Sequence, residues 1–340
     1  MRIRFGLRSL MIATVIVAAI PTYCHHLNRV GRREDQLIRE LIDEQKISVF
    51  DLAEVPDTAT TRWLKWLGGH HTFRRVASVT LEPQFTASDY ARLVPLAELN
   101  TLITRNATID DESLQALSQL PSIESLQLGR SRDITKSGVA ALTELSNLRT
   151  LYAGQLPVAD QDLALLLENM PRLETLHLGG MEITDAVVDS LIEHGSLRQL
   201  SLYPTSISSA GMIRLLREES LDIRIVNLTL DTYREYRNAG IPALRVLRAD
   251  GKVGDQLGAF YINNFKLTDE VFADMVEGIE PLITNRPMEI SLAENQLTDA
   301  SIPTILKFRG VRFLTLFGNQ FTDAGIQQLQ QALPGCRIER

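Results

Sequence analysis

Cysteine is nearly absent from this 340-residue chain. Cys24 and Cys336 stand at opposite ends, so no disulfide framework holds the fold and cysteine usage indicates no redox compartment. No Cys-x-x-Cys, His-Glu-x-x-His, Gly-x-Ser-x-Gly, Gly-x-Gly-x-x-Gly or phosphate-loop sequence occurs, which removes the compact signatures of zinc, serine-hydrolase and nucleotide chemistry. Gly251, Gly254 and Gly258 have the wrong spacing for a nucleotide loop. A long basic run is also missing, and the formal net charge is −7, which argues against nucleic acid as the partner. His25-His26 and His70-His71 are adjacent pairs. Neighbouring residues cannot both face one metal as an i, i+4 pair can, so they read as exposed or capping residues and no cofactor is expected.

What the chain has is a recurrence. Residues 173–192 read LETLHLGGMEITDAVVDSLI: Leu173, Leu176 and Leu178 form an L-x-x-L-x-L frame, a turn follows, and Ile183 precedes a Thr-Asp pair opening a helical stretch. The apolar residues before such pairs are Phe85, Ile109, Ile134, Val158, Ile183, Ile207, Leu267, Leu297 and Phe321, at steps of 24, 25, 24, 25, 24, 60, 30 and 24. The step of 60 is read as two lengthened repeats. Leu176 and Leu178 fall on one face of a short strand, while Val188, Leu191 and Ile192 supply a helix's inward side. One such unit has too little apolar surface to offset the ordering of its own backbone, so the copies must stack and share their faces.

This pattern resembles the leucine-rich repeat, in the helix-bearing variety whose second half reads I-T-D-A-G-L. The resemblance implies an α/β fold: a right-handed solenoid of about ten repeats over 76–340, with a parallel concave sheet and convex helices. Residues 221–256 depart from the pattern, with Ile223, Ile225, Leu228 and Leu230 alternating as in a strand and no clean Thr-Asp pair following. The turn position that this family fills with Asn, Ser or Thr is kept by Ser131, Thr205, Asn295 and Asn319, and lost at Ala107, Leu156, Met181 and Phe265.

At the N-terminus Arg2, Arg4 and Arg8 precede an apolar-or-Thr run from Leu10 to Ile20. Counted from Phe5 to Cys24 the segment has 20 residues, about 30 Å of helix and enough to span a bilayer. Residues 1–32 are therefore expected to be a single-pass membrane anchor with the repeats on the non-cytoplasmic side. The alternative is a secreted protein cleaved near Ala19. The R-F-G-L-R-S-L opening, Trp63-Leu64-Lys65-Trp66-Leu67-Gly68 and the close Ala332-Leu333-Pro334-Gly335-Cys336-Arg337-Ile338 are similar to membrane-anchored leucine-rich-repeat proteins of planctomycete bacteria. Residues 33–75 read as a helical linker and N-terminal cap. Leu37, Ile38, Leu41 and Ile42 lie at helical spacing, 47–62 are turn-rich, and the tryptophans cover the solenoid's end or form a partner-binding patch. Cys336–Ile338 is expected to close the sheet as a short strand.

Two groups of residues are candidates for function. The recurring Asp110, Asp185, Asp269, Asp299 and Asp323 suit helix capping better than metal binding, because each sits where free helix N–H groups and the positive helix end favour an acceptor. On the concave strands the outward positions are Thr80, Ile103, Gln127, Tyr152, His177, Ser201, Tyr261, Ser291 and Thr315. Tyr152, His177 and Tyr203, flanked by Arg105, Arg130 and Gln155, combine the aromatic and basic types enriched at recognition surfaces. The function expected is a non-enzymatic, membrane-tethered scaffold binding an unidentified protein or cell-envelope ligand. The alternative is an enzyme or metal-dependent module sited in 221–256.

Overall fold

A computed structural model describes the chain from residue 7 onward, except residues 54–57, 70, 73, 105–106, 108, 121, 130–133, 155, 157, 179–182, 203–204, 225–227, 250–258, 281–287 and 309. The side chains of 7–18, 49 and 249 also lie outside the described residues. The chain forms two compact units, Met1–Met181 with His194–Ser196, and Glu182–Glu193 with Leu197–Arg340.

The first unit runs α1 (Leu7–Asp43), β1 (Ile47–Leu52), α2 (Ala59–Gly68), β2 (Val76–Leu81), α3 (Tyr90–Leu93), β3 (Thr101–Thr104), α4 (Asp111–Leu117), β4 (Ser125–Leu128), α5 (Lys136–Leu142), β5 (Thr150–Ala153), α6 (Asp160–Asn169) and β6 (Thr175–Leu178). Strands β2 to β6 pair in parallel and in sequence order, which puts Val79, Leu102, Leu126, Leu151 and Leu176 in one row. All five are buried. A slip of one residue would turn that whole row to solvent, so the leucine frame itself sets the register.

The N-terminal elements differ from the expectation in three respects. Residues 47–62 are not simply turns, because β1 pairs antiparallel with β2 and covers the sheet's edge. Helix α1 runs unbroken through residues 32 and 33, where anchor and linker were expected to meet. Its buried stripe is Cys24, Asn28, Gly31, Glu34, Ile38 and Leu41, half of it not apolar, while Leu37 is half-buried and Ile42 exposed. The polar members have a use: Asn28 Oδ1 accepts from the His71 N–H at 3.1 Å and Glu34 Oε2 from the Val76 N–H at 3.0 Å, satisfying backbone that leads into β2. Finally, α2 packs on α1 through Gly68 and Gly69, and Trp63 and Trp66 point outward at 49% and 78% exposure. Among the described residues no helix is long and apolar enough to cross a membrane. Most of the Leu10–Ile20 side chains lie outside those residues.

The second unit runs α7 (Val188–Glu193), β7 (Gln199–Leu202), α8 (Ser209–Arg217), β8 (Asp222–Arg224), α9 (Leu230–Asn238), α10 (Ala243–Ala249), β9 (Ala259–Tyr261), α11 (Asp269–Ile279), β10 (Met288–Ser291), α12 (Ile302–Ile305), β11 (Val311–Thr315), α13 (Asp323–Ala332) and β12 (Arg337–Glu339). Strands β7 and β8 pair in parallel, as do β9 to β12, with Phe260, Ile290, Leu314 and Ile338 in register. The expected terminal strand is thus present as β12. Ile183, Val187, Val188 and Leu191 are all buried, whereas Ile192 is only half-buried.

Residues 221–256 are not a longer strand. Leu228 is followed by Thr229, which caps α9 by accepting from the Thr232 N–H at 3.2 Å, so Leu230 opens a helix and the step of 60 divides at Leu228. The added α10 is tied down by Arg245, whose guanidinium donates to the carbonyls of Leu216, Glu218 and Leu221 at the end of α8, where a cation suits the helix dipole.

Candidate functional site

The outward strand positions fall in register where the alternation places them, but Thr80 and Thr315 are buried rather than exposed. In the first unit Thr80, Ile103, Gln127, Tyr152 and His177 form one row across β2 to β6. Tyr152 is 36% exposed, and its ring stacks on His177 with centroids 4.3 Å apart and an interplanar angle of 20°. Stacking at this separation fixes two large amphipathic side chains on a hydrogen-bonded sheet before any ligand arrives, which reduces the entropy that binding must remove. Of the other residues proposed for this face, Arg105, Arg130, Gln155 and Tyr203 lie outside the described residues.

The second unit has an aromatic strand face of its own, which the leucine count understated. Tyr261 donates from its hydroxyl to Glu289 at 2.7 Å, and that carboxylate raises the phenol's pKa. Arg337 lies over the Phe313 ring, 5.4 Å from its centroid, and also pairs with Glu339. Phe317 is exposed beyond them. Phe313 and Phe317 alternate with the buried Leu314 and Leu316, so the period-two rule applied from those leucines identifies them.

The recurring acids form a ladder between repeats. Asp111 accepts from the Thr135 N–H at 2.8 Å, its hydroxyl at 2.5 Å and the Gly138 N–H at 3.1 Å. Asp185 holds Ser208 in the same way, at 2.7 and 2.5 Å. Asp269 holds Thr298 at 2.9 and 2.7 Å and also accepts from the Ser301 hydroxyl. Asp299 holds Thr322 at 2.9 and 2.5 Å. Asp185, Asp269 and Asp299 thus do not cap their own helices as expected: the following repeat's Ser or Thr caps its own helix, and the preceding Asp holds that Ser or Thr. Asp110 alone among the five caps its own helix, through Ser113, and leaves the inter-repeat role to Asp111. The last acid, Asp323, pairs with Arg340. Hydrogen bonds from Thr135 lower the pKa of Asp111, and those from Ser208 lower that of Asp185. Among the described residues no group of three or more His, Cys, Asp or Glu is placed to hold a metal ion.

The inserted segment holds one further polar cluster. The Asp274 carboxylate accepts from Tyr233 Oη at 2.5 Å and from Arg237 Nε and Nη2 at 2.8 and 2.7 Å. Arg237 lowers the pKa of Asp274, while burial and then the Asp274 bond push the Tyr233 phenol well above its ordinary value. A fully paired Tyr-Arg-Asp triad fastens α9 to α11 and presents no poised base or nucleophile.

No protein-family model and no curated protein matches this chain. Solved structures that resemble it include a leucine-rich-repeat protein of Leptospira interrogans, with 19% identity and a TM-score of 0.35 over 74% of this chain and 57% of that one. An internalin from Listeria monocytogenes gives 18% identity and a TM-score of 0.46 over 79% of this chain and 90% of that one. This chain thus spans little more than half of the Leptospira protein. Both TM-scores are below 0.5 and carry no argument; the chain's own elements show an α/β fold of parallel strands alternating with helices.

Proposed function

We propose that the chain is a non-enzymatic scaffold, tethered to the cell membrane by its N-terminal helix, whose outward strand face recognises a protein or cell-envelope ligand. The observation that carries this reading is the Tyr152–His177 stack, on β5 and β6 of a parallel sheet whose opposite face is the core, with Tyr152 exposed. Residues on such a face can vary without cost to packing, which suits a fold used for recognition. The tether reading is supported by the Leu10–Ile20 run and the arginines before it.

Recovery of partners from native membrane extract by the wild type and by Tyr152→Ala/His177→Ala tests the face. Truncation of an aromatic anchor costs about 2 kcal/mol, so recovery of a genuine ligand falls by roughly tenfold or more. Equal recovery of every partner by both proteins, with unchanged circular dichroism, refutes it. Fractionation with N-terminal sequencing tests the tether: the full-length chain stays with membranes, and a soluble chain with an intact N-terminus contradicts both the anchored and the secreted readings.

A further inference from the structure

We infer that the cap formed by α1 and α2 docks on the headgroup layer of an anionic phospholipid bilayer, with Tyr23, Trp63 and Trp66 seated at the interface. This extends the proposed tether and rests on it. The three aromatics are exposed at 62%, 49% and 78%. Rings with an apolar body and a polar N–H or O–H favour the boundary between hydrocarbon and water, where both parts are accommodated.

The two stretches of the cap nearest the apolar run are basic, while residues 34–57 between them carry eight Asp and Glu against two Arg and Lys. Residues 19–33 and 58–75 contain six arginines and one lysine and no Asp or Glu, in a chain with 42 acidic and 35 basic residues. Arg74 and Arg75 face Asp35 and Glu34 at 3.7 Å, while Arg29, Arg32 and Arg33 are exposed along α1. An anionic surface therefore attracts these two stretches and repels 34–57 and the acidic remainder, which favours an orientation with the start of α1 and α2 toward the surface.

Depth gives the third argument. Helix α1 continues without a break from the apolar segment, so at about 1.5 Å per residue Cys24 closes the 20-residue span and Asn28 lies roughly 6 Å beyond it, at the level of the headgroups. Helix α2 is held at that level: a Cβ on Gly68 would lie 2.8 Å from the Cys24 carbonyl oxygen, one on Gly69 would lie 3.1 Å from Asn28 Oδ1, and the His71 N–H bonds Asn28. Between the two helices an open cavity of about 490 Å³ is lined by Pro21, Thr22, His25, His26, Arg29 and Leu67. It offers a guanidinium, two imidazoles and an apolar floor to a phosphate headgroup.

Trp63 and Trp66 are the only tryptophans in the chain, so intrinsic fluorescence reports on this cap directly. Full-length protein is reconstituted into vesicles of phosphatidylcholine and phosphatidylglycerol, with and without phosphatidylcholine brominated in its acyl chains. Docking gives blue-shifted emission quenched about twofold by the brominated lipid, and weaker quenching when phosphatidylglycerol is omitted. Inorganic phosphate in solution leaves the quenching unchanged; relief by it would assign the cavity to free phosphate and overturn the bilayer as occupant. Protein that floats with the vesicles while its emission stays water-like and unquenched overturns the docking and leaves the tether standing. Protein that does not float with the vesicles overturns both. A Trp66→Phe variant, which preserves α2, loses most of the quenched signal if the more exposed ring is the one inserted, and retention of the full signal contradicts that placement.

Discussion

Replacing Gly325 with alanine should destabilise this protein, against the usual sign for such a change in a helix. Alanine in a helix is ordinarily favoured over glycine by about 1 kcal/mol. Gly325, however, is the third residue of α13, and a Cβ there would overlap Asp299 Oδ1, the carboxylate that holds Thr322 by its N–H at 2.9 Å and its hydroxyl at 2.5 Å. The carboxylate must move away, and each charge-assisted bond to it contributes about 1.5–3 kcal/mol. Even partial loss outweighs the propensity gain, so Gly325→Ala should cost about 1–3 kcal/mol. In an Asp299→Ala background the obstruction is gone, and the same change should be neutral or stabilising by up to about 1 kcal/mol. Urea denaturation of the four proteins, followed by far-ultraviolet circular dichroism, gives a coupling energy of about 2 kcal/mol between the two positions. A coupling near zero, or a stabilising Gly325→Ala in the wild-type background, would show that the ladder does not constrain this glycine.

Two other perturbations test the same account of the second unit. Burial alone would raise the Asp269 pKa, but hydrogen bonds from Ser301 and Thr298 outweigh it and hold the pKa below its ordinary value. A lowered carboxylate stabilises the fold above its unfolded pKa and loses that contribution as the pH falls through the folded one. Asp269→Asn should therefore be less stable than wild type at pH 7, with the gap closing below about pH 4; equal destabilisation at both pH values contradicts the linkage. Asn295→Ala removes a buried amide that accepts from the Phe265 and Leu267 N–H groups, both at 3.0 Å, and donates to the Ile262 and Leu292 carbonyls at 2.7 and 2.9 Å. Several buried backbone groups lose their partner, so the loss should be about 3 kcal/mol or more in urea denaturation, and a cost under about 1 kcal/mol would mean that other groups or water replace the side chain.

The repeat was legible because its signal is redundant. A leucine frame read at period two and a helix start read at its Thr-Asp pair both recur near every 24 residues, so the register of Tyr152 against His177 followed from counting. The ladder was half legible: the acids were visible, but their bonds run 23 to 29 residues forward, and a local capping rule assigns an acceptor to its own helix. The glycines at 138, 211 and 325 carried the missing information. Each would place a Cβ against the Asp of the preceding repeat, Asp111, Asp185 or Asp299, so a glycine three residues after a cap and one repeat after an acid signals the inter-repeat bond. The cap was less legible for a different reason. The inner stripe of α1 is recognised by the backbone groups that Asn28 and Glu34 satisfy rather than by apolar periodicity, and a hydrophobic count passes over such a face. That same feature leaves the large aromatics of α2 on the outside, since polar residues and glycines already make the contact between the helices. A cap that used Trp63 and Trp66 for its own packing would have none to offer a membrane.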